Sequence, residues 1–226
     1  MKTLWVSAIF VMLLAGPAFS DSMYFLLGYN FPHGGSDVYT QNERETSFHV
    51  SDLNGWSGSA GYDHFLNEHF SIGGSISGYS QHTSIQDNSF VHLDNSPIFR
   101  TVHLEIVPTE LNLHALPVGR NVPVIPYLGG GVGIYYWQYS ESGDFVMNRN
   151  SPNPYVVHGY AYSDGWDPGW HAEAGVQIPV SRYATIMAEY RYFHAHGKLD
   201  VHSFDPAFGP LDLSSSQVSM GVSFWF

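Results

Sequence analysis

The chain contains no cysteine, which excludes a disulfide framework and every thiolate metal site. It is also poor in charge: Asp, Glu, Lys and Arg make up 12% of its 226 residues, against about 25% in a typical soluble domain. Basic residues are scarcest, with eight Lys and Arg in all, and Lys2 and Lys198 are the only lysines. That scarcity excludes a nucleic-acid partner, which requires a basic face. A surface with so few charges also argues against an ordinary soluble globule. Disorder is excluded from the other side, because 16% of the residues are aromatic and disordered chains are poor in aromatics. Long apolar runs are missing after the first twenty residues, so no later segment offers a membrane-spanning helix. What the chain does have is 23 glycines, 13 histidines and a formal charge of −12.

The N-terminal segment reads as an export signal. Lys2 is followed by an apolar stretch from Leu4 to Ala15, then Gly16-Pro17 and the small residues Ala18 and Ser20. This is the order of a secretory signal cleaved before Asp21. The expected organisation is a signal peptide over 1–20 and a single domain over 21–226. Without Lys2 the exported chain has seven basic and twenty acidic residues, a net charge of −13.

The remainder alternates with a period of two. Phe70, Ile72, Gly74 and Ile76 share one parity; so do Trp170, Ala172, Ala174, Val176 and Ile178, then Ile186, Ala188, Tyr190 and Tyr192. Near the end, Val218, Met220, Val222, Phe224 and Phe226 alternate with Gln217, Ser219, Gly221, Ser223 and Trp225. Eight strands are predicted, at about 23–31, 55–65, 69–82, 100–115, 124–139, 168–179, 184–196 and 214–226, each long enough for the roughly 9–11 residues a tilted strand needs to cross a bilayer. Short gaps (67–68, 116–123, 179–183) alternate with long polar ones (32–54, 83–99, 140–167, 197–213). That alternation predicts an all-β, eight-stranded antiparallel transmembrane barrel with short periplasmic turns and four long extracellular loops. A soluble sandwich fits less well, because the polar face is mostly Gly and Ser. In the fourth strand the apolar parity changes between Val102, Leu104, Ile106 and Leu111, Leu113, Ala115, and a β-bulge at 107–109 is expected to absorb the change. Trp56, Tyr79, Tyr135, Tyr136, Trp137, Trp166, Trp170, Tyr183 and Trp225 lie near strand ends and are expected to form interfacial girdles.

The ending Val218-Ser-Met-Gly-Val-Ser-Phe-Trp-Phe226 resembles the C-terminal assembly signal of bacterial outer-membrane barrels. Pro126-Tyr-Leu-Gly-Gly-Gly-Val-Gly-Ile134 and Ala188-Glu-Tyr-Arg-Tyr192 are similar to segments of the small outer membrane protein β-barrel domain family, which includes opacity-type proteins and OmpA-, OmpX- and OmpW-like barrels. The resemblance implies an outer-membrane location, contact with outer-membrane lipid and lipopolysaccharide, and handling by the barrel-assembly machinery, with Val218, Met220, Val222, Phe224 and Phe226 as the signal. It is specific for architecture and says little about activity.

An eight-stranded barrel is just wide enough for side chains to fill. Ser59, Asp63, Ser75, His171, Glu173, Glu189 and Arg191 are expected to point inward, with Asp63, His171, Glu173, Glu189 and Arg191 as a polar cluster around one guanidinium. Two readings are open for it, a plug that fixes the barrel and an ion path. Enzyme readings are weaker. A lipid-A hydrolase needs a hydroxyl and an imidazole within hydrogen-bond reach, and the neighbours His202-Ser203 and His82-Thr83 point to opposite faces of a strand. Lipid-A acyl transfer and proteolysis have still less support, and no cofactor is expected. His194 and His196 share a strand face and, with His202, are the residues to test for a metal.

Protonation of all thirteen histidines would bring the exported chain from −13 to about zero around the ordinary imidazole pKa of about 6.5, so mild acid is expected to strengthen binding to an anionic surface. The leading functional expectation is a non-enzymatic barrel whose loops meet an extracellular partner, with Tyr39, Phe90, Phe145, Tyr155, Tyr160, Tyr162, Phe204 and Phe208 as aromatic contact points. The alternative is a narrow channel or hydrophobic-solute conduit, with Gly129–Gly133 as a weak strip of wall.

Overall fold

The computed structural model describes residues 21–226; the segment read as a signal peptide lies outside them. Nine strands and one helix follow in order: β1 (Asp21–Pro32), α1 (Asp37–Glu45), β2 (Gly55–Phe65), β3 (Phe70–Val91), β4 (Pro97–Ala115), β5 (Ile125–Met147), β6 (Tyr155–Pro179), β7 (Ala184–Gly197), β8 (Leu211–Asp212) and β9 (Ser215–Trp225). Each long strand pairs antiparallel with its neighbours, and β1 pairs with both β2 and β9, so eight strands close a ring and β8 is a short extra pairing on β7. The ends of the chain lock together where Asp21 and Phe226 exchange backbone hydrogen bonds of 3.1 and 3.0 Å. Closure matters because an open sheet edge in hydrocarbon would leave backbone groups unpaired.

Three strands, β3, β5 and β6, run well beyond the lengths expected from the sequence. β3 and β4 meet in a turn of only 92–96, and β5 and β6 continue to 147 and back from 155. Much of what reads as loop is therefore hairpin. The polar character of 83–91 and 140–146 reflects a strand that has left the membrane, not the end of the strand.

The same fact removes the expected bulge. β4 pairs with β5 in one unbroken register from Arg100↔Gly143 to Ala115↔Leu128. Its even residues stay inward throughout, from Ile98 and Val102 to Asn112 and His114. The chemistry changes instead of the facing. In the lower part Leu111 and Leu113 face out and Glu110, Asn112 and His114 face in; in the upper part Val102, Leu104 and Ile106 face in and His103 and Glu105 face out.

The ring thus has two storeys of opposite polarity. At the short-turn end the outside is apolar, with Leu27, Ile72, Leu111, Val132, Ile186 and Met220 all exposed, and the inside is polar. At the long-loop end the inside is a dry core of Tyr79, Leu104, Tyr135, Trp137, Tyr139, Phe193 and Leu211, capped by Val38 and Tyr39 of α1 and by Phe48, Leu53, Leu199 and Phe204. Burial pushes the Tyr39 phenol well above its ordinary range. Tyr79, Tyr135 and Trp137 therefore belong to this core and not to a girdle, since their odd positions face inward; Trp225 also turns in, against Phe65. Trp56, Tyr136, Trp166, Trp170 and Tyr183 occupy outward positions.

Helix α1 was not legible in the stretch 32–54, because a nine-residue element with three buried residues, Val38, Tyr39 and Asn42, carries too short a pattern. Asp37 in its first turn and Arg44 in its last complement the helix dipole.

Candidate functional site

The polar storey centres on Arg191 of β7, which is 1% exposed. Its guanidinium lies 2.6 Å from Glu173 Oε2, 3.0 Å from Glu189 Oε1 and 3.3 Å from Glu110 Oε2. His171 Nδ1 is 2.9 Å from Glu110 Oε1. His114 bridges Glu173 and, at 3.3 Å, Asp63. Phenols close the network: Tyr127 donates to Glu189 at 2.7 Å, Tyr135 donates to Glu110, and Asn112 donates to Tyr24 at 3.2 Å. All five residues read from the sequence as the lumen cluster are here, and Ser59 and Ser75 line the same interior. Sequence reasoning missed Glu110, Asn112 and His114, whose parity was obscured by the apparent bulge.

Four carboxyl groups thus face one guanidinium and two imidazoles, so acidic groups outnumber basic ones by one. The fit is tight. A methyl group on Gly129 would meet His114 and Glu173, and one on Gly131 would meet His171 and the Leu111 carbonyl. The glycine run of β5, expected as a weak strip of wall, is where the wall makes room for the cluster.

Above the cluster, a cavity of about 20 Å³ lies between the storeys, bordered by Asn30, Tyr79, Tyr135 and Phe193. That is about the space one water molecule needs. Below the cluster, Tyr24, Leu26, Phe65, Leu116, Ile125, Tyr127 and Met187 form a second apolar cluster, and the Arg120 guanidinium lies 3.9 Å from the Phe65 ring centroid and 4.9 Å from that of Trp225. The lumen is filled at three levels.

The upper storey is tied by two arginines. Arg100 on β4 donates to Asn42 of α1 at 2.7 Å, lies 3.5 Å from Glu141 of β5 and covers the Phe145 ring. Arg149, in the β5–β6 turn, pairs with Glu45 of α1 at 3.0 Å and with Asp87 of β3, and covers Phe90. Asp144 of β5 accepts from His158 at 2.8 Å and from His92 of the β3–β4 turn at 3.2 Å. The hydrogen bond from His158, helped by the charges of His158 and His92, holds the Asp144 carboxyl below its usual range. Of the aromatic contact points expected in the loops, Tyr39 and Phe204 are buried and Phe90 and Phe145 sit under arginines, whereas Tyr155 and Tyr160 are exposed, with Tyr160 stacked on Tyr162.

Val218, Met220, Val222, Phe224 and Phe226 are exposed at the end of the closing strand. His194 and His196 do share the outer face of β7, their rings 4.8 Å apart. Among the described residues, however, no group of three or more His, Cys, Asp or Glu is placed to hold a metal ion, so His202 does not complete a site with them. In the lumen, Ser71 Oγ lies 3.2 Å from His114 Nδ1, a buried pair whose imidazole is already engaged by Asp63 and Glu173. Serine–imidazole pairs also occur outside the lumen, at Ser80–His103 (3.1 Å), Ser216–His33 (3.2 Å) and Ser214–His194 (3.1 Å). Adjacency in sequence was the wrong place to look for them. None of these three imidazoles has a carboxylate partner among the described residues, so the group that would orient a catalytic base is missing.

The family model "Outer membrane protein beta-barrel domain" matches residues 6–226. The chain belongs to the outer membrane protein β-barrel domain family. Neisserial surface protein A has a similar structure, with a TM-score of 0.53 at 14% identity, covering 91% of this chain and 97% of that one. OprG of Pseudomonas aeruginosa (TM-score 0.49, 11% identity, 92% and 96% coverage) and the Escherichia coli outer membrane protein W (0.47, 12%, 94% and 100%) are also similar. Among curated proteins none matches the sequence. Family and fold point to the bacterial outer membrane.

Proposed function

We propose that this barrel is a non-enzymatic surface protein, a plugged anchor that holds a rigid extracellular platform for contact with another surface. The observation that carries the reading is the inversion of polarity along β3 to β6. Above the lipid band the wall continues as a folded body with its own apolar core and polar exterior, which a simple anchor does not need. β5 and β6 have 23 and 25 residues, about twice what crossing requires. Above Gly169 the outer edge of β6 has no strand partner, and Tyr155 and Tyr160, on its two faces, are both exposed. Unpaired edges and exposed aromatics are features of recognition surfaces. Against the conduit reading stand the three filled levels of the lumen. Against lipid-A modification stands the lack of a carboxylate beside the surface serine–imidazole pairs.

The test uses cells displaying the barrel. Replacing 143–159 with a short turn is expected to abolish cell-to-cell aggregation and adhesion to matrix-coated surfaces, while the barrel still shifts on a denaturing gel after heating. Unchanged adhesion by the shortened barrel overturns the reading.

A further inference from the structure

The outer wall around β7 differs from the rest of the collar at the top of the lipid band. Outward positions of β7 read, going up, Ile186, Ala188, Tyr190, Tyr192, His194 and His196. Gly197 ends the strand and Lys198, which is exposed, follows it. Lys198 is the one lysine among the described residues. Of the other basic side chains near the upper storey, Arg191 is in the lumen, Arg100 and Arg149 are in ion pairs, and Arg44 is exposed on α1 beside Glu45.

The flanking strands complete a patch. On β9, Ser216 Oγ lies 3.2 Å from His33 Nε2 and 3.0 Å from the Tyr190 hydroxyl. The His33 ring packs on Tyr192 at 5.5 Å, and Trp170 of β6 packs on both Tyr192 and His194, at 5.7 and 5.3 Å. Ser214 holds His194 through Nδ1. His33 Nδ1 and His194 Nε2 have no protein partner among the described residues. Three imidazoles and two phenols are thus fixed side by side by aromatic packing, with donor capacity to spare. Asp212 is the one nearby carboxylate, 3.9 Å from His196 Nδ1. No outward position of β1 from Phe25 to His33, of β7, or of β9 is acidic. Outward acidic positions do occur elsewhere on the wall, at Glu105 of β4 and, higher on β6 than its pairing with β7, at Asp164.

We infer that His33, Tyr190, Tyr192, His194, His196 and Lys198 form a binding site for the phosphate-bearing headgroup of an outer-leaflet glycolipid. The patch is continuous with the apolar belt directly below it, where Val218, Met220 and Ile186 are exposed. A ligand there has acyl chains against the belt and its anionic group level with the imidazoles. In a protein of net charge −12, this wall offers an anionic lipid a group of donors with Asp212, already bound to the Gly35 and Ser214 backbone N–H groups, as the carboxylate beside them. The surface reading above is not required for this site; only the membrane setting of the barrel is.

The test is native mass spectrometry of the folded barrel taken from phosphatidylcholine nanodiscs doped with diphosphoryl lipid A or with its dephosphorylated form. The wild-type protein is expected to retain the diphosphoryl form by about tenfold over the dephosphorylated one, the ratio that loss of about one charge-assisted hydrogen bond implies. The H33Q/H194Q/H196Q variant, and separately K198Q, should lose most of that preference, while H103Q on the opposite wall keeps it. Heat-dependent gel migration identifies any variant that fails to fold, and K198Q, outside the strand, guards against that outcome. Equal retention of the two lipids by the wild-type protein overturns the site, and so does an unchanged preference in both variants. Inorganic phosphate in excess should leave lipid A bound; complete displacement by it would overturn the glycolipid as the ligand.

Discussion

Gly129 faces His114 and Glu173 so closely that a methyl group has no room. Gly129→Ala is expected to cost about 1–3 kcal/mol, the range for overpacking, and the measurement is urea-induced unfolding in detergent micelles. Arg191 carries a heavier load, since it is the one guanidinium among Glu110, Glu173 and Glu189. Replacing it with Met leaves buried carboxylates without their partner, which costs about 3–5 kcal/mol when an ion pair is broken on one side. The same unfolding assay checks this, and a stability equal to wild type would show that the cluster does not hold the barrel. At this scale the sequence was readable wherever alternation was clean. Arg191, Glu189, Glu173 and His171 alternate with outward residues that are largely apolar, from Trp170 to Ile178 and from Ile186 to Tyr192. Glu110, Asn112 and His114 sit in β4, where apolar residues change parity because the strand passes from lipid to water. A rule that equates apolar with outward fails there, although the pairing with β5 keeps register across 107–109.

Strand length is the property of the elements that composition conceals. Polar residues in 83–91 and 155–165 signal solvent, and solvent reads as loop until pairing is known. The projecting hairpins are held by side chains that reach between elements: Arg100 to α1, Arg149 to α1 and β3, and Asp144 to His158 and His92. Asp144 gives a signed pH dependence. Its carboxyl titrates lower in the folded hairpin than in the unfolded chain, so its contribution is fully present above the ordinary aspartate pKa of about 3.9. That contribution is lost as pH falls through the lower folded value. Hydrogen exchange at 88–96 and 144–158 should therefore accelerate as pH drops below about 4, after correction for intrinsic rates, and Asp144→Asn should flatten that response. The extracellular core has its own test. Trp137 is fully buried and donates to Asp167 at 2.7 Å, so Trp137→Ala should cost about 3–5 kcal/mol. The loss should fall on the upper storey, seen as proteolytic nicking between 198 and 210, while the lower barrel keeps its heat-modifiable migration.

For the whole molecule, the scarcity of charge with which the sequence begins divides along the barrel axis. The lipid band needs no charges, the lumen confines Arg191 with its carboxylates, and the remaining acids lie largely above the membrane, on and between the hairpins. Fold class was legible because alternation and gap lengths report on membrane crossing; the role was not, because it depends on what the hairpins and the filled lumen do together. The claim that joins them is that the barrel is closed and serves as an anchor. Single-channel recording of the purified wild-type barrel in planar bilayers tests it most directly. The account predicts a silent membrane, with no reproducible steps at any applied potential. Stable, uniform conductance steps would contradict it, because an ion could then pass the Arg191 cluster and the apolar core that fill the lumen.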